Sequence, residues 1–273
     1  MKIREILSEN AVPEVELTKA TSDFVPPTKT IKAYKLFRVD QRHPGKLFPL
    51  FVKADQSIEI GKWYEAEIGE MSGDKVKSKI GKLAFRPGWH AGDSPLATHI
   101  GDFTDQQKKQ KADAERARLM DLKDQMSDPE FLKVYQNSDK TTQKNMVADL
   151  KKKINAKHPY PKGTTTPSIR PSTQVWAEVE MPADVDWQSE ADKRGINAKG
   201  KFIAKAAHIT DQLPKGGHYR YKTNTNMTGN WIIGGAMKVT RVLSDDEVVK
   251  LNKKVGASDL PRTTPFDNKK YGF

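Results

Sequence analysis

Apolar and polar positions along the chain fall into stretches of different period. Residues 33–39 (Ala33, Tyr34, Lys35, Leu36, Phe37, Arg38, Val39) are aromatic and β-branched and predict a strand. A turn at 42–45 leads to a second strand over 47–52, which Pro49 places at an edge or a bulge. Residues 58–67 alternate in part, a Gly-, Ser- and Lys-rich turn covers 72–79, and the run from Leu83 to Phe85 ends at Arg86, Pro87 and Gly88. Pro87 cannot donate to a ladder and Gly88 can take a positive φ, so the strand is expected to stop there and a loop to follow.

From 103 to 157 the period changes. Residues 106–126 contain no Gly or Pro and many good helix formers. Ser127 or Asp128 then caps a restart with Pro129 at the first helical position, and the second helix lies near 130–136. Ser138 and Asp139 open a third helix to about Asn155, with Met146, Val147, Leu150 and Ile154 on one face. Residues 158–171 are a Pro- and Thr-rich linker.

Strict alternation returns at 174–181, with Val175, Ala177, Val179 and Met181 on one face and Trp176, Glu178 and Glu180 on the other. Residues 182–230 read as irregular, with one amphipathic piece near 201–209. Residues 231–243 close the sheet, and Gly234–Gly235 mark a bulge or a close backbone approach. Ser244 and Glu247 form a capping box for a short helix ending near Lys254, and the tail from 258 is polar, pinned at most by its aromatics. The fold class predicted is α+β. A β-rich core, a split sheet or small sandwich, takes residues 31–102 plus 173–245. An N-terminal arm (1–30), a helical insertion with its linker (103–172) and a short helix with the C-terminal tail (246–273) complete the chain.

Charge changes this picture. Lys and Arg number 47 against 35 Asp and Glu, a formal net charge of +12. Such an excess favours polyanion partners such as nucleic acid or an anionic membrane. Lys144, Lys151, Lys152 and Lys153 on the third predicted helix are the candidate phosphate contacts; a solvated helix face is the alternative. A mean hydropathy of −0.74 suits a folded core carrying polar insertions. The chain has no cysteine, which excludes disulfides, zinc–thiolate sites and thiol nucleophiles. No stretch approaches the roughly 20 apolar residues that span a bilayer, so no membrane is expected as a partner. Gly229, Gly234 and Gly235 do not make a phosphate-loop or dinucleotide spacing, and no cofactor is read from the residues.

The densest chemistry lies at 86–99. Trp89, His90, Asp93 and Ser94 fall within six residues, Arg86 precedes them and His99 follows. His90 and His99 with Asp93 between them could make a metal pair, but third and fourth ligands are not evident, so no metal is assigned; His90 on a backbone carbonyl and His99 capping a short helix over 94–100 is the structural alternative. Trp63, Trp89, Trp176 and Trp231 could stack on a base or sugar, or plug the sheet edges. Arg38 and Arg86 have planar forks that clamp phosphate; paired with Glu65, Glu67 or Glu178 they would instead be structural.

Read in order, Tyr34 to Val39, Pro49 to Val52, Trp63 to Glu67, Arg86 to His90, Pro95 with His99, Val175 to Glu180, and Trp231 with Met237 to Val239 resemble a family of small uncharacterised proteins common in bacteriophages and related mobile elements. The resemblance covers roughly 31–102 and 173–243 and implies an accessory or virion-associated protein, with other phage proteins as possible partners. It would act in the bacterial host cytoplasm or the virion. The layout also resembles that of ADP-ribosyltransferases: a strand bearing an Arg, a strand leading into Asp93, Ser94 and Pro95, then a strand bearing Glu. That resemblance implies NAD as cofactor, with Arg38 or His90 on the nicotinamide nucleotide, Ser94 in the central position and Glu178 or Glu180 as the acidic residue. Arg86, Trp89, Asp93 and His99 would then bind ligand around them.

Overall fold

The computed structural model describes residues 24–78, 81–161, 163, 165–195, 209, 211–223 and 226–273. The N-terminal arm up to residue 23 and most of the amphipathic piece expected near 201–209 lie outside the described residues. The chain is α+β and divides into two compact units. One takes the chain up to Ser94 with Val175–Leu243 and Asn268–Phe273; the other takes Pro95–Gln174 and Ser244–Asp267.

The strands in chain order are β1 (Thr30–Val39), β2 (Leu47–Phe48), β3 (Trp63–Glu65), β4 (Met71–Ser72), β5 (Lys75–Ser78), β6 (Gly81–Ala84), β7 (Trp89–Gly92), β8 (Gln174–Pro182), β9 (Val185–Asp186), β10 (Gly217–Tyr221), β11 (Trp231–Gly234) and β12 (Ala236–Val242). In the first unit β1 lies at the centre of a mixed sheet of order β3-β12-β8-β1-β7-β11-β10-β9, with β2 paired to the end of β1. Strands β4, β5 and β6 form a separate antiparallel sheet. The core is apolar and supplied by alternation: Ala33, Phe37 and Val39 of β1, Val175, Ala177, Val179 and Met181 of β8, Met237 and Val239 of β12 are all fully or nearly fully buried.

Strands β11 and β12 follow one another in sequence but are separated in the sheet by β8, β1 and β7. The chain can make that step only if the sheet curls until its ends approach each other. Gly235 is the hinge of the step. Its N–H donates to the Gly217 carbonyl at 3.0 Å, its carbonyl accepts from the Ala66 N–H at 2.8 Å, and a Cβ there would overlap the Pro214 carbonyl. The double glycine therefore marks a close backbone approach, the second of the two readings the sequence left open.

The second unit holds α1 (Asp105–Met126), α2 (Pro129–Gln136) and α3 (Lys140–Lys157), while α4 (Gln188–Gly195) belongs to the first unit and α5 (Asp245–Lys254) to the second. Thr104 with Gln107 and Ser244 with Glu247 make full capping boxes, and Asp128 and Asp139 cap α2 and α3. Of the residues of α1, α2 and α3 only Ile154 is buried, so this helical group is lightly packed. The unit also carries a buried polar network. Arg170, nearly inaccessible, pairs with Asp259 at 2.7 Å, donates to the Ala97 carbonyl at 2.9 Å and also bonds the Ile100 carbonyl and Gln174. Asn252 of α5 donates to the Pro95 carbonyl at 2.7 Å.

Several local expectations change. The second strand stops at Phe48, because Pro49 breaks the ladder and Lys53 turns the chain at φ 50°. The turn expected over 72–79 instead carries β4 and β5. Residues 182–230, read as irregular, contain β9, α4 and β10. The C-terminal tail is held by more than aromatics: Asp259 binds Arg170, Arg262 binds Asp245 at 2.8 Å, and Tyr271 is buried. His99 lies in a turn, with no helix over 94–100 for it to cap.

Candidate functional site

The stretch expected to be a loop is a strand. Gly88 takes φ +133°, where a Cβ would overlap the Ile233 side chain, and the chain then enters β7 between β1 and β11. His90 sits opposite Ile233 and Trp89 opposite Gly234, so both side chains are aimed by a central strand. The preceding strand does stop, at Ala84, as Pro87 and Gly88 signal; pairing on both sides of Trp89–Gly92, made by distant residues, starts a new strand where a loop was expected.

Alternation sends Trp89 and His90 to opposite faces. Trp89 donates its indole N–H to the Tyr64 carbonyl at 2.9 Å. On the other face His90 Nε2 lies 2.8 Å from the Arg86 carbonyl. A carbonyl can only accept, so Nε2 carries the proton. The Arg86 guanidinium stands 5.7 Å from the Tyr221 ring and hydrogen-bonds its phenol. Burial raises the Tyr221 pKa and Arg86 draws it back. The structure thus brings Arg86, His90 and Tyr221 together. Tyr221 was not among the residues singled out, since its strand was read as irregular.

Asp93 and Ser94 act locally. Asp93 Oδ2 accepts from the Asn230 backbone N–H at 2.9 Å and from its side-chain amide at 2.8 Å, which pins the turn before β11. Ser94 is buried, with its hydroxyl 3.4 Å from Asp93 Oδ1. Arg38 lies over the Phe48 ring at 4.9 Å and donates to the Ala54 carbonyl at 2.8 Å. Glu178 is bracketed by Lys32 at 3.0 Å and Arg241 at 3.3 Å. Lys32 and Arg38 are six residues apart on one extended strand, about 20 Å. Glu178 and Arg38 therefore stand at opposite ends of β1, and each is engaged by its own partners.

His99 falls in the second unit, where desolvation and the Arg170 guanidinium hold its pKa below the ordinary histidine range. Among the described residues no group of three or more His, Cys, Asp or Glu is placed to hold a metal ion.

A residue of β1 that the sequence reading passed over stands beside Trp89. Lys35 Nζ donates to the His90 carbonyl at 2.7 Å and lies 5.4 Å from the Trp89 ring and 5.7 Å from the Phe37 ring. The signal was in the alternation: Ala33, Lys35, Phe37 and Val39 share one face, and three of the four are core residues. A lysine at such a position is a buried polar group that needs a reason.

The lysines of α3 form a second candidate region, in the other unit. Lys144, Lys151, Lys152 and Lys153 are all exposed, and none makes an ion pair with a described residue. At 100° per residue they do not share one face. Lys140, Lys144 and Lys151 fall on one stripe, Lys152 lies about 80° round from Lys144, and Lys153 points to the opposite side. By contrast Lys157, at the end of α3, is held by Asp121 at 2.6 Å. Among the described residues no helix is long and apolar enough to cross a membrane. Comparison of the chain with protein-family models, with curated proteins and with solved structures returned no match.

Proposed function

We propose that the protein binds a polyanion, nucleic acid, chiefly by charge, through the lysine stripe of α3. The observation that carries this reading is the stripe itself. Lys140, Lys144 and Lys151 are exposed, lie along about 16 Å of helix axis, and have no carboxylate partner among the described residues. Duplex DNA presents one negative charge per about 1.7 Å of axis, so a stripe of this length meets several phosphates at once. Such contacts position a backbone and read no sequence. The net charge of +12 supports association with any polyanion. The resemblance to phage proteins supports nucleic acid as the one met in the host cytoplasm or the virion.

The experiment is a titration of the full chain against a short duplex of arbitrary sequence at about 50 mM salt. Binding indifferent to sequence, and weakened by Lys144→Gln with Lys151→Gln, is expected. No binding at that salt concentration, or binding that ignores both substitutions, overturns the reading.

A further inference from the structure

Lys35 is an amine enclosed on the apolar side of a sheet. Its polar contact is the His90 carbonyl, its other neighbours are the Phe37 and Trp89 rings, and part of the residue's surface still reaches solvent. No carboxylate of the described residues contacts it. The charged groups on the flanking strands face elsewhere. Glu178 of β8 is turned to the Lys32 and Arg241 face, Glu180 shares that face and pairs with Lys238, and the His90 ring lies on the far side of β7. Toward Lys35, β8 presents its apolar set and β11 presents Ile232. A structural lysine inside a protein is ordinarily paired with a carboxylate. This one is not.

We propose that Lys35 is a covalent site for a small aldehyde with an apolar or aromatic body, held as an imine. The amine nitrogen attacks the aldehyde carbon and forms a carbon–nitrogen bond. The carbonyl oxygen then leaves as water with two hydrogens from nitrogen. Starting from the ammonium form, the products are a protonated imine and one water, and no oxidant or reductant is needed. The protonated imine keeps one N–H, which the His90 carbonyl accepts, and its charge stays beside the two ring faces that held the ammonium. The ring faces and the apolar surroundings favour an apolar body over a second charged group on the ligand.

Burial lowers the Lys35 pKa from 10.5 to about 8, so a useful fraction of the amine is unprotonated near neutrality. A lysine side chain at the free-solution value has far less free base at the same pH.

The test uses the full chain, benzaldehyde as the probe and cyanoborohydride to trap the imine as a benzylamine at pH 7, with peptide mass spectrometry to place the adduct. Lys35 is expected to be labelled at least about tenfold faster than Lys144 in the same sample. That preference is expected to shrink above pH 10, where an ordinary lysine side chain also becomes free base, and to vanish in urea. A lysine that only braces the His90 carbonyl would be among the slowest to react. Labelling of Lys35 no faster than Lys144 in the folded protein overturns the proposal, and so does a preference that survives unfolding.

Discussion

The indole N–H of Trp89 donates to the backbone carbonyl of Tyr64 at 2.9 Å, tying β7 to β3, which lie four places apart in the order of the sheet. That bond and the step at Gly235 record the same fact, that the sheet curls until distant strands touch. Trp89 is half-buried, so its truncation removes both apolar contact and one hydrogen bond. Trp89→Ala is expected to lower the stability of the protein by about 3 kcal/mol. Trp89→Phe keeps most of the ring but leaves the Tyr64 carbonyl without its donor, and should cost about 1 kcal/mol. Urea midpoints of the two variants check both values.

A second expectation concerns the buried ion pair of the other unit. Arg170 and Asp259 are both nearly inaccessible, with side-chain exposures of 1% and 7%. Arg170→Ala takes the guanidinium away from the Asp259 carboxylate, which keeps the Ala97 N–H, and from the Ala97 and Ile100 carbonyls, and should destabilise by about 3–5 kcal/mol. Arg170→Lys cannot reproduce the fork and should recover only part of that loss. Thermal unfolding of the three proteins gives the order.

Much of this architecture was legible in the chain. The helices of 105–157 were, because their caps are local: Asp128 before Pro129, and Asp139 before Lys140. The strand at 174–182 was, because it alternates. Strand β7 was not, because Pro87 and Gly88 signal an end while the partners that make Trp89–Gly92 a strand come from β1 and β11. Helix α4 has Ala191 as its single buried apolar side chain and offers no periodic stripe; its signal was Asp186, which accepts from the N–H groups of Gln188 and Ser189. Of the candidate residues, the α3 lysines were legible as exposed because a helical pattern fixes the apolar side. The distance between Glu178 and Arg38 was not, because sequence does not give the register of β8 on β1.

Lys35 supplies a pH-dependent expectation. Its folded pKa of about 8 lies below the 10.5 of the free side chain, because burial disfavours the ammonium. Between those values the unfolded chain binds more protons than the folded one, so this group makes stability rise with pH across that window. Below pH 8 its full cost is present. Lys35→Met is therefore expected to stabilise the protein at pH 7, by about 2 kcal/mol after the lost bond to the His90 carbonyl is counted. The gain should fade as pH rises from 8 toward 10.5. Denaturant titrations of both proteins at pH 7 and pH 10 read it directly.

The central claim, charge-driven binding through one stripe of α3, is tested most directly by the salt dependence of duplex binding. Each lysine–phosphate contact contributes about 0.9 to the slope of log K against log salt. Lys140→Gln, Lys144→Gln and Lys151→Gln together are expected to flatten that slope by about 2.7, while Lys153→Gln, on the opposite side of the helix, leaves it unchanged. Equal slopes for the triple variant and the parent protein would contradict the account.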